Sequence, residues 1–132
     1  MDQTFTDSAR NSMVTANRLT KEFNTTFVGS VHIVLAILDN DESIRSLFAK
    51  ESGTTDFRNY ARDSLQFDRA GHVKAILVKT LHDAQSSGCR VVGTKHFMIA
   101  ALTDPDAAVL HFLSLAGLTA EAARSAIAQL PP

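Results

Sequence analysis

The sequence predicts an all-α fold of about eight helices, arranged as two pseudo-symmetric four-helix repeats. Three observations carry that prediction. An eleven-residue phrase, Val28-Gly-Ser-Val-His-Ile-Val-Leu-Ala-Ile-Leu38, recurs as Val92-Gly-Thr-Lys-His-Phe-Met-Ile-Ala-Ala-Leu102. The offset of 64 residues that brings His32 onto His96 also pairs Gly29 with Gly93, Ala36 with Ala100, Phe48 with Phe112, Gly53 with Gly117 and Thr55 with Thr119. Self-similarity at one spacing over half the chain marks one supersecondary unit built twice. Apolar residues also recur in steps of three and four along most of the chain, and no run alternates with period two, so no sheet is expected.

Met1 to Thr4 is expected to fray. Thr6 or Asp7 can then cap a first helix, striped by Phe5, Ala9, Met13, Ala16, Leu19 and Phe23, that Asn24-Thr-Thr breaks. Gly29 and Ser30 open the second helix, with Ser30 read as its cap. Val31 to Leu38 is apolar except for His32, and a helix without a polar face belongs inside a core. Asp41 can cap a third helix that buries Ile44, Leu47 and Phe48 and stops at Gly53. Thr55 is read as the cap of a fourth, lined by Phe57, Tyr60, Ala61 and Leu65. After the short link Gln66-Phe-Asp-Arg-Ala-Gly71 the plan repeats. A long helix carries Val73, Ile76, Leu77, Thr80, Leu81 and Ala84 and closes at Gly88. Thr94 is read as the cap of the sixth helix, and Asp104-Pro105 as a cap and first helical residue for the seventh. That helix packs Val109, Phe112 and Leu113 and ends at Gly117. Thr119 caps the last, with Ala122, Ala126, Ile127 and Leu130 inward, and the final prolines stop it.

Bulk composition narrows the function classes. A chain of 132 residues, 45% apolar and 20% charged, is ordinary for one soluble globular domain with its own core. A net charge of −1 gives no electrostatic reason to expect a nucleic acid. One cysteine, Cys89, precludes an internal disulfide and favours a reducing compartment. The start has neither a basic nor an apolar signal region, and the run Ile33 to Leu38 is far below the ~20 residues that span a bilayer. A cytoplasmic protein without a membrane partner is expected.

The repeated unit resembles the N-terminal domain of the Clp-type AAA+ unfoldases, the Clp N family. Carrying the resemblance are Phe5-Thr6 ahead of the first helix, Gly29-Ser30-Val31-His32 before an aliphatic run, and Gly93-Thr94-Lys95-His96 in the second copy. It covers essentially the whole chain. It implies one domain, 1–132, with repeats at about 5–65 and 69–130. It also implies a binding module, not an enzyme, that captures protein substrates or adaptor proteins for an AAA+ unfoldase, with Gly29, Ser30, His32, Gly93, Thr94 and His96 as its structural motif.

Two departures from the family pattern stand out. None of the six glycines lies in a Gly-x4-Gly-Lys-Ser/Thr loop, so the chain has no means of cradling nucleotide phosphates and no ATPase activity of its own is expected. It reads as an isolated domain or a free-standing relative. The family motif is Gly-Thr-Glu-His, and in some bacterial members its glutamates engage phosphorylated arginine. Here those positions hold Val31 and Lys95. Valine accepts no hydrogen bond and lysine repels a guanidinium, which argues against phosphoarginine recognition.

The candidate residues divide between function and packing. His32 and His96 fall in the first helical turn, where the dipole favours a neutral ring; a metal site between the repeats lacks the supporting ligand motifs. Lys95 near a helix start opposes the dipole, and serves either to attract an acidic partner segment or as a solvated lysine. Val28, Val31 and Val92 would lie at the mouth between the repeats, as an apolar rim for a peptide or as completion of the core. His72, His82 with Asp83, and His111 lack a nucleophile elbow, and the Cys89 loop before Arg90 is no catalytic site. Asp39 to Glu42 lacks the glycine and distal glutamate of a calcium loop. Arg58, Arg62 and Arg69 form a mild basic strip without the interleaved aromatics that stack bases. No metal and no cofactor is expected. The reading that results is a peptide-binding module of the Clp system, gripping its partner through Val28, Val31, Val92 and Lys95. The alternative is a structural or oligomeric accessory subunit that has lost peptide binding.

Overall fold

A helix with no polar face needs neighbours on every side, and α2 (Ser30–Asn40) has them. In the computed structural model, which describes residues 4–131, every residue from Ser30 to Leu38 is buried. Packed against α2 are α1 (Asp7–Glu22), α3 (Glu42–Ser52), α4 (Phe57–Ser64), α5 (His72–Ser86), α6 (Thr94–Thr103) and α7 (Ala107–Ala116). The last helix, α8 (Ala120–Ala128), lies on α6 and α3. A short 3-10 turn, Leu65–Phe67, follows α4. Among the described residues no single helix is long and apolar enough to cross a membrane.

The two halves interlock. α1 packs on α6 as α5 packs on α2, and α4 packs on α7 as α3 packs on α8. The core therefore runs across the seam. Phe57 from the first half has its ring centroid 6.2 Å from that of Phe48 in its own repeat and 6.2 Å from that of Phe112 in the other. All three rings are buried, each contributing on the order of 2–3 kcal/mol, and Phe57 joins the two halves through its contacts on both sides.

Local chemistry sets most helix ends. The side chains of Thr6, Asp41 and Thr119 each accept a backbone amide three residues on, at 3.1 Å. Gly53 (φ 73°) and Gly117 (φ 74°) end α3 and α7 in the left-handed region that glycine adopts without strain.

Five expectations are corrected. A minimal sheet exists: Thr4–Phe5 (β1) pairs in parallel with Val91–Val92 (β2). Two residues per strand are too few for an alternating pattern to show, and the pairing ties Thr4 down where fraying was expected; Met1 to Gln3 lie outside the described residues. The fourth helix is entered through Asp56, whose amide donates to Thr54 Oγ1, and not through Thr55. The seventh starts after Asp106, whose Oδ1 accepts the Val109 amide at 2.9 Å, while Asp104 ends α6. Asp104, with φ −135° and ψ 69°, closes α6, and Pro105 lies in the connection ahead of Asp106. Finally, α8 turns Ala123 and Ile127 inward and leaves Ala122 exposed.

Candidate functional site

The recurring phrase places two helix starts, those of α2 and α6, at the seam between the halves. Gly29 and Gly93 are their N-caps, both with extended backbone. His32 and His96 occupy the third helical position. Each ring turns back so that Nδ1 accepts the glycine amide, at 2.8 Å from Gly29 and 3.0 Å from Gly93. This is the half of a capping box that a glutamate or glutamine ordinarily supplies. A nitrogen that accepts an amide carries a lone pair, so both rings are neutral with the hydrogen on Nε2. In His32 that hydrogen points to Thr25 Oγ1, 3.1 Å away. Burial lowers the pKa of His32. Burial, then the Lys95 charge, lowers that of His96 against the pull of Asp83.

Ser30 and Thr94, expected to cap their own helices, do something else. Each is the first helical residue, buried, and its hydroxyl crosses to the other half. Ser30 Oγ donates to Asp106 Oδ2 at 2.6 Å, and Thr94 Oγ1 donates to Asp41 Oδ2. In both aspartates the second oxygen caps the following helix. The bonds are reciprocal, one from each half. Nothing local in the sequence signals them, because donor and acceptor lie more than fifty residues apart; the signal available was a Ser or Thr after each motif glycine and an Asp before each third helix.

The first helix start carries an extra group. Asp68, from the linker, lays its carboxyl against Gly29, with Oδ1 3.0 Å from Ser30 Oγ. Its side chain is 2% exposed, and Oδ2 has no hydrogen-bond partner. Burial, chiefly, pushes its pKa up to about 6; the nearby Asp106 charge adds to this while Ser30, the Val31 amide and His72 oppose it. Sequence reasoning missed Asp68, since a charged residue in a short polar linker is solvated by default. Beside Asp106 a cavity of about 290 Å³ is lined by residues of both halves, among them Ser30, His72, Lys79 and Val109.

The predicted contact residues separate in space and burial. Val31 and Val92 are 0% exposed and belong to the core, the packing reading of the two the sequence allows for them. Val28 and Lys95 are half-buried. The Lys95 ammonium donates to the Leu130 carbonyl just beyond α8, where a helix's negative end favours a cation; this offsets its unfavourable place at the start of α6.

Other candidates resolve into structure. Ser64 Oγ donates to the Tyr60 carbonyl at 2.7 Å and His111 Nδ1 lies 3.0 Å from it, with the ring against Phe67, so this Ser–His contact offers no free nucleophile. Arg58 pairs with Glu22 and Asp39, and both Arg58 and Arg62 sit over the Phe23 ring. Among the described residues no three His, Cys, Asp or Glu side chains converge as metal ligands.

No family profile matches the sequence. The fold, however, is that of known N-terminal domains. The N-terminal domain of the caseinolytic protease associated chaperone ClpD from Arabidopsis thaliana superimposes with a TM-score of 0.76 at 14% identity, over 94% of this chain and 92% of that one. The N-terminal domain of Hsp104 from Candida albicans does so with a TM-score of 0.76 at 17% identity, over 96% and 91%. At these identities the likeness is one of fold.

Proposed function

We propose that the chain is a single protein-binding module of a Clp-type chaperone system, one that captures a substrate segment or an adaptor for an AAA+ unfoldase and hydrolyses no nucleotide itself. The observation that carries this is the near-complete, two-way coverage of N-terminal domains of chaperones, one of them protease-associated by name. Within that reading, Val28 and Lys95 are the motif residues with side-chain surface left for a partner. A partner that used Val31 or Val92 would have to displace the start of α2 or strand β2 from the core. Phosphoarginine is not a ligand in this proposal: Val31 offers no acceptor and Lys95 carries the wrong sign.

The test is direct binding of the purified chain to an AAA+ unfoldase ring and to its adaptors, by calorimetry, with Val28→Glu and Lys95→Glu as variants. Micromolar or tighter binding weakened about tenfold by either variant supports the proposal. Failure to bind any ring, adaptor or unfolded client discards it. The burial of Val31 and Val92 specifically favours the second reading, an accessory subunit without peptide binding. That reading expects a stable oligomer by light scattering and no peptide affinity.

A further inference from the structure

The place where α2, α5 and α7 begin holds more acceptors than hydrogens. Ser30 Oγ lies 2.6 Å from Asp106 Oδ2 and 3.0 Å from Asp68 Oδ1. A hydroxyl carries one hydrogen and can satisfy one carboxylate. Asp106 takes it, because that contact is the shorter and because Asp106 also caps the amides of α7 and lies 3.4 Å from His72 Nδ1, both of which favour its charge. The remaining contact, to Asp68, must then be made by a hydrogen from the Asp68 side, since two lone pairs at that distance repel. Little else compensates a charge there: the Val31 amide offsets it in part, but the side chain is 2% exposed and Oδ2 has no donor. The ring nitrogen of His32, 3.9 Å from Oδ2, presents a lone pair, because it accepts the Gly29 amide.

We infer that in the folded protein at mildly acidic pH Asp68 is the neutral acid, and that its proton fastens the inter-repeat linker to the start of α2 through an Asp68–Ser30–Asp106 chain whose loss releases the linker. The inference goes beyond partner capture and stands whether or not the chain binds an unfoldase. The titratable groups that face Asp68 are His32 from α2, Asp106 from the start of α7 and His72 from the start of α5. The first offers a lone pair and the second a negative charge, so both oppose ionisation of Asp68. His72 alone pulls the other way, and it lies against Asp106. The upward push on Asp68 to about 6 agrees with this count of hydrogens. On deprotonation two carboxylates compete for one hydroxyl. Asp68 also borders a cavity of about 240 Å³, with Thr25, Phe27, His32 and Leu65, from which water can reach the freed oxygen.

Carbon-13 NMR titration of the side-chain carboxyls of the full chain, with amide hydrogen exchange on the same sample, tests the device. Asp68 is expected to titrate near pH 6. The protection factors of residues 66–71 should fall about tenfold between about pH 5 and 7.5. Asp68→Asn, whose amide donates to Ser30 as the acid does, should hold that protection level across the same range. An Asp68 carboxyl titrating below about pH 4.5, or a linker that loosens with pH equally in the asparagine variant, overturns the inference. Should the variant fail to fold, the wild-type titration decides by itself.

Discussion

The starts of α2 and α6 are built from the same phrase and finished differently. Both use a glycine cap, a histidine acceptor at the third helical position and a hydroxyl that reaches the opposite half. At α2 the linker then seals the site: Asp68 covers Gly29, and His32 is 1% exposed. At α6 the corresponding space is bordered by the N-terminal segment, with Thr6 near Gly93, and His96 stays half-buried beside Lys95. The shared parts do backbone work that any such helix start requires. The unshared parts, a buried carboxyl from the linker against Gly29 and the Lys95 ammonium beside His96, are where the halves differ in chemistry.

Glycine-to-alanine substitutions should break the equivalence most sharply. A Cβ on Gly29 would overlap the Asp68 carboxyl, whereas one on Gly93 would sit 3.5 Å from Thr6 Cγ2, an ordinary contact. Neither backbone is left-handed, so the difference is steric alone. Gly29→Ala is expected to cost about 3–4 kcal/mol in urea unfolding and Gly93→Ala under about 1 kcal/mol. Equal losses would mean that Asp68 does not sit where the packing puts it.

The next largest effect depends on pH. Asp68 has its folded value raised from 3.8 to about 6, so its contribution to stability is complete below 3.8 and is lost as pH rises through 6. His32 and His96 run oppositely: their folded values are lowered from 6.5, so their contribution is complete above 6.5 and is lost as pH falls through the lowered values. Comparing wild type with Asp68→Asn isolates the first effect. The variant should match wild type below about pH 4 and exceed it by about 2–3 kcal/mol above about pH 7.

Removing the acceptor rings should follow burial. His32→Ala is expected to cost about 2 kcal/mol, since it orphans the buried Gly29 amide and empties a buried ring's place, and His96→Ala about 1 kcal/mol. The smallest effect belongs to Lys95→Glu. Loss of the Leu130 contact is offset by a carboxylate at a helix start, so stability should move by less than about 0.5 kcal/mol while any acidic partner is repelled. That separation makes it a usable binding probe.

What was legible in the residues follows the range over which each signal acts. Helix stops such as Gly53 and Gly117, and caps such as Thr6, Asp41 and Thr119, depend on atoms within four residues and came out where the sequence placed them. A local rule assigns the hydroxyls of Ser30 and Thr94 to their own helices. Their true acceptors, Asp106 and Asp41, lie across the seam, and a single sequence carries no pairing signal over such a span. Val31 and Val92 were ambiguous for a related reason: a valine beside a helix start looks alike whether the neighbouring half covers it or leaves it open. The two-residue strands left no trace of alternation.

The crossed hydroxyl-to-aspartate bonds have a consequence for how such a chain arises and how it can be cut. Each half holds one donor and one acceptor whose complements belong to the other. A fragment ending near the linker would leave both unsatisfied, yet two copies of that fragment would satisfy each other in a two-fold arrangement. The architecture is thus that of a self-complementary dimer fused into one polypeptide, and separately expressed halves should regain structure on mixing.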